Sequence, residues 1–234
     1  MKTVLALAVG LTATLQVATA GDLTGTVTLK GTPPAEKEIT PLKDDATCGK
    51  FHAAMPKTQF FVVAANGGLA DTVVMLKGIS GKSTGASTAP VVLDQKSCVY
   101  VPQIVAVQTG QTITVKNSDP VLHNVHSIPA VAGNEEKNLA QMPNGADLTL
   151  KFDKAENFLK FKCDVHPWMF AWVTVVDHPY FAVTDKEGKF TIKDVPAGKY
   201  TVTALHRKAA PLGVEQEVEV KADGAKADFT VEVK

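Results

Sequence analysis

An all-β fold is predicted by three observations. After residue 20, apolar residues recur at period two in short β-branched runs, turns carrying Gly and Pro separate the runs, and no 3.6-residue periodicity is sustained beyond about two turns. Hydrophobic residues make up 45% of the 234 and charged residues 21%, so a packed core is available and the composition is far from that of a disordered chain. Many short strands with such turns predict a sandwich or barrel, and at ~100–200 residues per domain the length allows one large or two small domains.

The elements follow in chain order. Residues 1–20 begin with Lys2, run through an apolar stretch at 4–11 and end in Ala18-Thr19-Ala20, the layout of a secretory signal peptide. Thr12, Thr14 and Gln16 break the run, which falls short of the ~20 apolar residues of a membrane helix. The expected location is therefore the periplasm or the exterior, with no transmembrane segment after signal removal. Strands are expected at 23–29, 72–76, 111–116, 148–152, 158–162, 172–176, 190–192, 201–204, 214–220 and 229–233. Asn66-Gly67-Gly68, Thr109-Gly110, Pro196-Ala197-Gly198 and Asp223-Gly224 mark turns between them. Residues 134–141 are the one candidate for a short helix, and the small-residue stretch 80–90 is expected to project into solvent. Composition divides the remainder into an N-terminal β region at 21–98, a His-bearing region at 99–178 and a Lys/Glu-alternating β module at 179–234.

Charge narrows the function classes. Lys plus Arg number 24 and Asp plus Glu number 24, so the basic surplus that neutralises nucleic-acid phosphates is missing and no nucleic-acid partner is expected. No catalytic residue set is evident, and the chain is not expected to be an enzyme.

Chemistry concentrates in two segments. Cys163-Asp164-Val165-His166-Pro167-Trp168-Met169 places three soft-metal donors at C-x2-H-x2-M between two expected strands. Asn117-Ser118-Asp119-Pro120-Val121-Leu122-His123-Asn124-Val125-His126 follows another strand. Two imidazoles and one thiolate with a weak axial thioether define an electron-transfer copper site. Zinc is the other candidate for Cys plus two His, but Met is a poor ligand for it, and structural zinc sites hold more Cys.

Together these segments resemble the cupredoxin (type 1 blue copper) family, most closely its amicyanin-like members, whose ligand loop has the same short spacing; plastocyanin-like members resemble it too, with a longer His-to-Met gap. The resemblance covers roughly residues 99–177 and implies a Greek-key β-sandwich holding one type 1 copper. It implies His123 and His166 as imidazole ligands, Cys163 as thiolate, Met169 as axial thioether, and Asn124 as a residue tying the two ligand loops together. His126 falls at a non-ligand position. In the family an imidazole edge is exposed within an apolar patch, so Pro167 and Trp168 are the expected docking patch for a redox protein such as a cytochrome or dehydrogenase. Six histidines are too few for the trinuclear cluster of the wider multicopper family, and no C-x-x-C-H haem motif is present. The expected function is outer-sphere electron transfer. A copper carrier or storage protein using the same ligands, and an envelope scaffold or adhesion protein with this fold, are the rivals.

Cys48 and Cys98 lie upstream of the metal motif. In an exported protein they are expected to pair as a disulfide, with two independent thiols as the alternative. Residues 185–200 carry the pattern D-x-x-G-x-F followed by P-A-G-x-Y, which resembles carboxypeptidase-regulatory-like, transthyretin-like β-sandwich modules. Residues 25–29 and 72–76 resemble the first strands of the same module, so the copper region is expected to be inserted in it. His52, His178 and His206 are expected to be plain imidazoles, because their spacing specifies no metal geometry.

Overall fold

A computed structural model of the chain describes residues 19–209 and 212–233. Most of the expected signal peptide, residues 1–18, lies outside the described residues. The architecture is nearly all β. In order it comprises β1 (Ala20–Lys30), the five-residue helix α1 (Thr40–Asp44), β2 (Val73–Leu76), β3 (Val91–Lys96), β4 (Val99–Val101) and β5 (Ile104–Gln108). Then come β6 (Ile113–Asn117), β7 (His123–Ile128), β8 (Lys137–Gln141), β9 (Leu148–Leu150), β10 (Glu156–Lys162) and β11 (Phe170–Val176). The chain closes with β12 (Phe181–Val183), β13 (Lys189–Pro196), β14 (Gly198–Leu205), β15 (Gly213–Val220), β16 (Ala225–Lys226) and β17 (Phe229–Glu232). No helix among the described residues is long and apolar enough to cross a membrane.

Two sheets enclose the metal motif in a Greek-key β-sandwich. One runs β5-β11-β10-β7-β8 and the other β4-β3-β6-β9. Alternation sends one face of β6 inward: Ile113, Val115 and Asn117 are buried while Thr114 and Lys116 are not. Leu93, Ile113, Val115, Val125, Leu159, Phe161 and Val173 form the core of this unit, with Cys163 and Met169 in the same cluster. Leu42 of α1, fully buried, packs into that cluster as well, with Ile39, Phe51 and Met55 around it. Burial of a leucine side chain stabilises by roughly 1.5–3 kcal/mol, which holds this N-terminal segment against the sandwich.

A second core joins the two ends of the described chain. β1 pairs antiparallel with β13 and parallel with β16 and β17, while β2 lies between β12 and β14. Leu23, Val27, Val74, Leu76, Phe190, Ile192, Val202 and Phe229 pack together there.

Two expectations are corrected. Residues 134–141 form no helix: β8 pairs antiparallel with β7, because the edge of β7 offers unpaired backbone groups that a single helical turn leaves open. The stretch 80–90 does not project freely. The Thr84 N–H and hydroxyl donate to Gln108 Oε1, the Ser83 hydroxyl donates to the Thr109 carbonyl, and Gly85 sits so close that a Cβ would lie 2.2 Å from Thr109 O. Trp172, which opens the expected strand 172–176, is half-buried, with the Arg207 guanidinium 4.7 Å from its ring centroid. In addition, β3, upstream of residue 99, pairs in parallel with β6 and turns Leu93 and Gln95 into the sandwich.

Candidate metal centre

The two ligand-bearing segments meet because β7 and β10 are antiparallel neighbours, with Lys162 opposite His126. His123 stands at the start of β7 and Cys163 immediately follows β10, so both donors emerge at the same end of one sheet. The loop 163–169 is closed by its own backbone: Cys163 N–H donates to Met169 O at 3.1 Å and Met169 N–H to His166 O at 2.9 Å. This turn carries His166 back over Cys163.

Three donor atoms converge. His123 Nδ1 lies 3.0 Å from His166 Nδ1, and Cys163 Sγ lies 3.9 Å from the former and 3.6 Å from the latter. All three residues are buried, as is Met169. The tautomer of His123 follows from its other side: Nε2 faces Asp119 Oδ2 at 2.9 Å, and a carboxylate only accepts, so Nε2 carries the proton and the Nδ1 lone pair is free for a metal. Burial works to lift the Cys163 thiol. The contacts with His123 and His166, together with the hydrogen bond from the Asn124 backbone N–H, outweigh it and bring the pKa down to about 6. A thiolate and two imidazoles therefore face one another in a dry space, which suits a soft or borderline cation.

Asn124 holds the two loops in register. Its Oδ1 accepts the N–H groups of Asp164 at 2.6 Å and Val165 at 3.4 Å, its Nδ2 donates to Asp164 Oδ2 at 3.0 Å, and its own N–H donates to Cys163 Sγ at 3.5 Å. Asp164 is further bound by Lys162 Nζ and His126 Nδ1, at 2.6 and 2.8 Å. The Lys162 ammonium first, then His126 and the two amides, hold its carboxyl well below the usual carboxylate range against a desolvation penalty. His126 is engaged through both ring nitrogens, the second by Glu136 at 2.7 Å, and stands outside the donor triangle.

Sequence reasoning missed two features. The first is Asp119, buried, whose carboxylate accepts from His123 and from the backbone N–H groups of Ser97 and Cys98. Its signal was present in the Asp-Pro turn four residues before His123. The second is the cover over His166. Cys48 and Cys98 form a disulfide, and their sulfurs lie within 4.8 Å of a ring nitrogen of His166. His166 is only 8% exposed, so the imidazole edge expected at the surface is covered by the segment that carries Cys48. Of the expected docking patch, Pro167 is exposed and Trp168 half-buried, its indole N–H donating to Cys98 O at 3.0 Å.

The remaining histidines are dispersed. His52 Nε2 meets Ser97 O at 2.7 Å, His178 Nε2 meets Leu76 O at 2.9 Å, and His206 stacks on Phe61 with ring centroids 5.0 Å apart.

Residues 88–176 match the family described as copper binding proteins, plastocyanin/azurin family. Among solved structures, a Cu(I) amicyanin mutant is 23% identical over 44% of this chain and 97% of its own, with a TM-score of 0.33. A reduced amicyanin mutant is 26% identical over the same shares, with a TM-score of 0.34. A copper-containing nitrite reductase from Thermus scotoductus SA-01 is 21% identical over 37% of this chain and 22% of its own, with a TM-score of 0.33. No curated protein matches the chain.

Proposed function

We propose that the protein carries one type 1 copper and passes single electrons to a redox protein such as a cytochrome or dehydrogenase. The observation that supports this most is the convergence of Cys163 Sγ, His123 Nδ1 and His166 Nδ1 at 3.0–3.9 Å. His123, Cys163, His166 and Met169 would hold the ion. Copper in such a site supplies one-electron cycling between Cu(II) and Cu(I). The chain's own part is to keep the donors fixed. Asp119 sets the His123 tautomer, Asn124 locks the two loops, and the buried position excludes water, so that little rearrangement accompanies a change of charge. Export to the periplasm or beyond fits the disulfide, which persists in oxidising compartments. The segments on either side of the copper region would form the transthyretin-like sandwich, serving as a scaffold into which that region is inserted.

Reconstitution with Cu(II) tests the reading. Intense visible thiolate-to-copper absorption is expected and is expected to vanish in Cys163→Ser. A colourless protein binding Cu(II) in a tetragonal site would overturn it.

Carriage or storage of copper is the second reading, and the buried position of His166 favours it. Rapid electron exchange with a small cytochrome supports transfer. Release of Cu(I) to a chelator without such exchange supports carriage.

A further inference from the structure

The two sulfurs of the Cys48–Cys98 disulfide and a ring nitrogen of His166 all lie within 4.8 Å of one another, and all three residues are buried. Noncovalent contacts hold each cysteine in place besides the bond between them. On one side, Asp45 Oδ1 accepts the N–H groups of Thr47 and Cys48 at 2.9 and 2.7 Å, and Leu42 anchors the same segment in the core. On the other, the Asp119 carboxylate accepts the N–H groups of Ser97 and Cys98, and the Trp168 indole N–H donates to Cys98 O. His52 Nε2 donates to Ser97 O at 2.7 Å and so ties the Cys48 segment to the turn that carries Cys98. Opening the S–S bond therefore leaves two thiols already arranged beside an imidazole, with little further ordering needed to bind an ion.

We infer that the dithiol form of the chain binds Cu(I) through Cys48, Cys98 and His166, a second metal site that shares one imidazole with the Cys163 centre. Thiolates select soft cations, and Cu(I) is satisfied by three donors. Zinc asks for four, and the neighbouring carboxylate, Asp119, is already committed to His123 and two backbone N–H groups. Binding releases the two thiol protons. Closing the site is a two-electron oxidation by a small disulfide: the Cys48–Cys98 bond forms, the small disulfide takes up two protons and becomes two thiols, and Cu(I) leaves with its oxidation state unchanged. His166 then belongs to Cys163 and His123 alone. A chain is made with its cysteines reduced, so the dithiol site comes first and the disulfide ends it.

Cys163→Ser in the full chain tests this apart from the type 1 reading, because it removes the thiolate on which that reading depends. Reduced with a phosphine under argon, this variant is expected to take one Cu(I) per chain from the bicinchoninate complex, with sulfur and nitrogen neighbours in X-ray absorption. The same variant with the disulfide closed, and Cys48→Ser combined with Cys163→Ser, are expected to leave the ion with the chelator. Adding His166→Ala is expected to remove the nitrogen neighbour and weaken binding. Amide exchange is expected to show β3, β4 and β7 still protected in the reduced chain, as the noncovalent anchors require. No uptake by the reduced variant, equal uptake by its disulfide form, binding indifferent to His166→Ala, or loss of that protection on reduction would overturn the assignment.

Discussion

The carboxylate of Asp119 binds His123 Nε2 at 2.9 Å, and the same oxygen accepts the Cys98 N–H at 2.7 Å. Its other oxygen takes the Ser97 N–H at 2.6 Å. Ser97 and Cys98 both stand in the left-handed region at φ 55°, uncommon for residues with side chains. One buried carboxylate thus stabilises a strained β3–β4 turn, the disulfide half-cystine on it and the orientation of an imidazole donor. Burial works to raise the Asp119 pKa, but the His123 bond and the two N–H bonds prevail and hold it below the usual range.

Asp119→Asn is therefore expected to weaken copper binding by about 10–100-fold, the usual effect of losing the partner that orients a ligating histidine. The amide keeps the shape but presents an NH2 group to one of the three donors the carboxylate accepted. Competition against a copper chelator measures the loss. Wild-type affinity in Asp119→Asn would show that His123 is oriented by packing alone.

The disulfide joins residues 50 apart and lies beside His166. Closing a loop of that length restricts the unfolded chain, so Cys48→Ser with Cys98→Ser is expected to lose about 4 kcal/mol on the chain-entropy account. The double variant is also expected to expose His166, seen as faster hydrogen exchange at its imidazole C–H and faster electron exchange in the copper-loaded protein. If stability falls while His166 exchange is unchanged, the cover is held by Leu42 and its neighbours and the disulfide serves only stability.

Legibility in the sequence divides by the range of the interaction. The strands with clean alternation, such as 214–220, are visible because one face is exposed and the other at least half-buried. β5 is not, since it is buried on nearly every residue and shows a continuous apolar run in place of a period. β8 is not, because four of its five residues are exposed and only pairing to β7 extends them. The donors His123, Cys163 and His166 are legible as a spacing within two loops. The cover over His166 is not, because it depends on Leu42 and Cys48 packing against residues far away in the chain, which no local pattern records.

Truncation tests how the two cores depend on one another. Removing residues 179–234 takes away β12 to β17, leaving β1 and β2 without strand partners and Leu23, Val27 and Val74 without Phe190, Ile192, Val202 and Phe229 of their shared core. A chain ending at His178 is expected to lose amide protection at residues 20–30 and 73–76 while keeping it in β6, β7, β10 and β11. Equal protection of β1 and β2 in the truncated and full chains would show that the N-terminal strands fold without the C-terminal module.

Acid sensitivity is expected to arise in the second core as well as at the metal site. His206 is 3% exposed, and burial, reinforced by the adjacent Arg207, lowers its pKa from 6.5 to about 4. His178 is shifted in the same direction, also mainly by burial. Between these values the unfolded chain takes up a proton at His206 that the folded chain refuses. The stability contributed by neutral His206 is thus fully present above the unfolded pKa and is lost as the pH falls from about 6.5 towards 4, with a total on the order of 3 kcal/mol at ~1.4 kcal/mol per unit. His206→Phe keeps an aromatic ring against Phe61 and removes the titration, so its stability is expected to fall less over the same interval. Denaturant melts of copper-free protein from pH 7 to pH 4 make the comparison. Parallel losses in wild type and His206→Phe would assign the acid sensitivity to other groups, the Asp119–His123 pair among them.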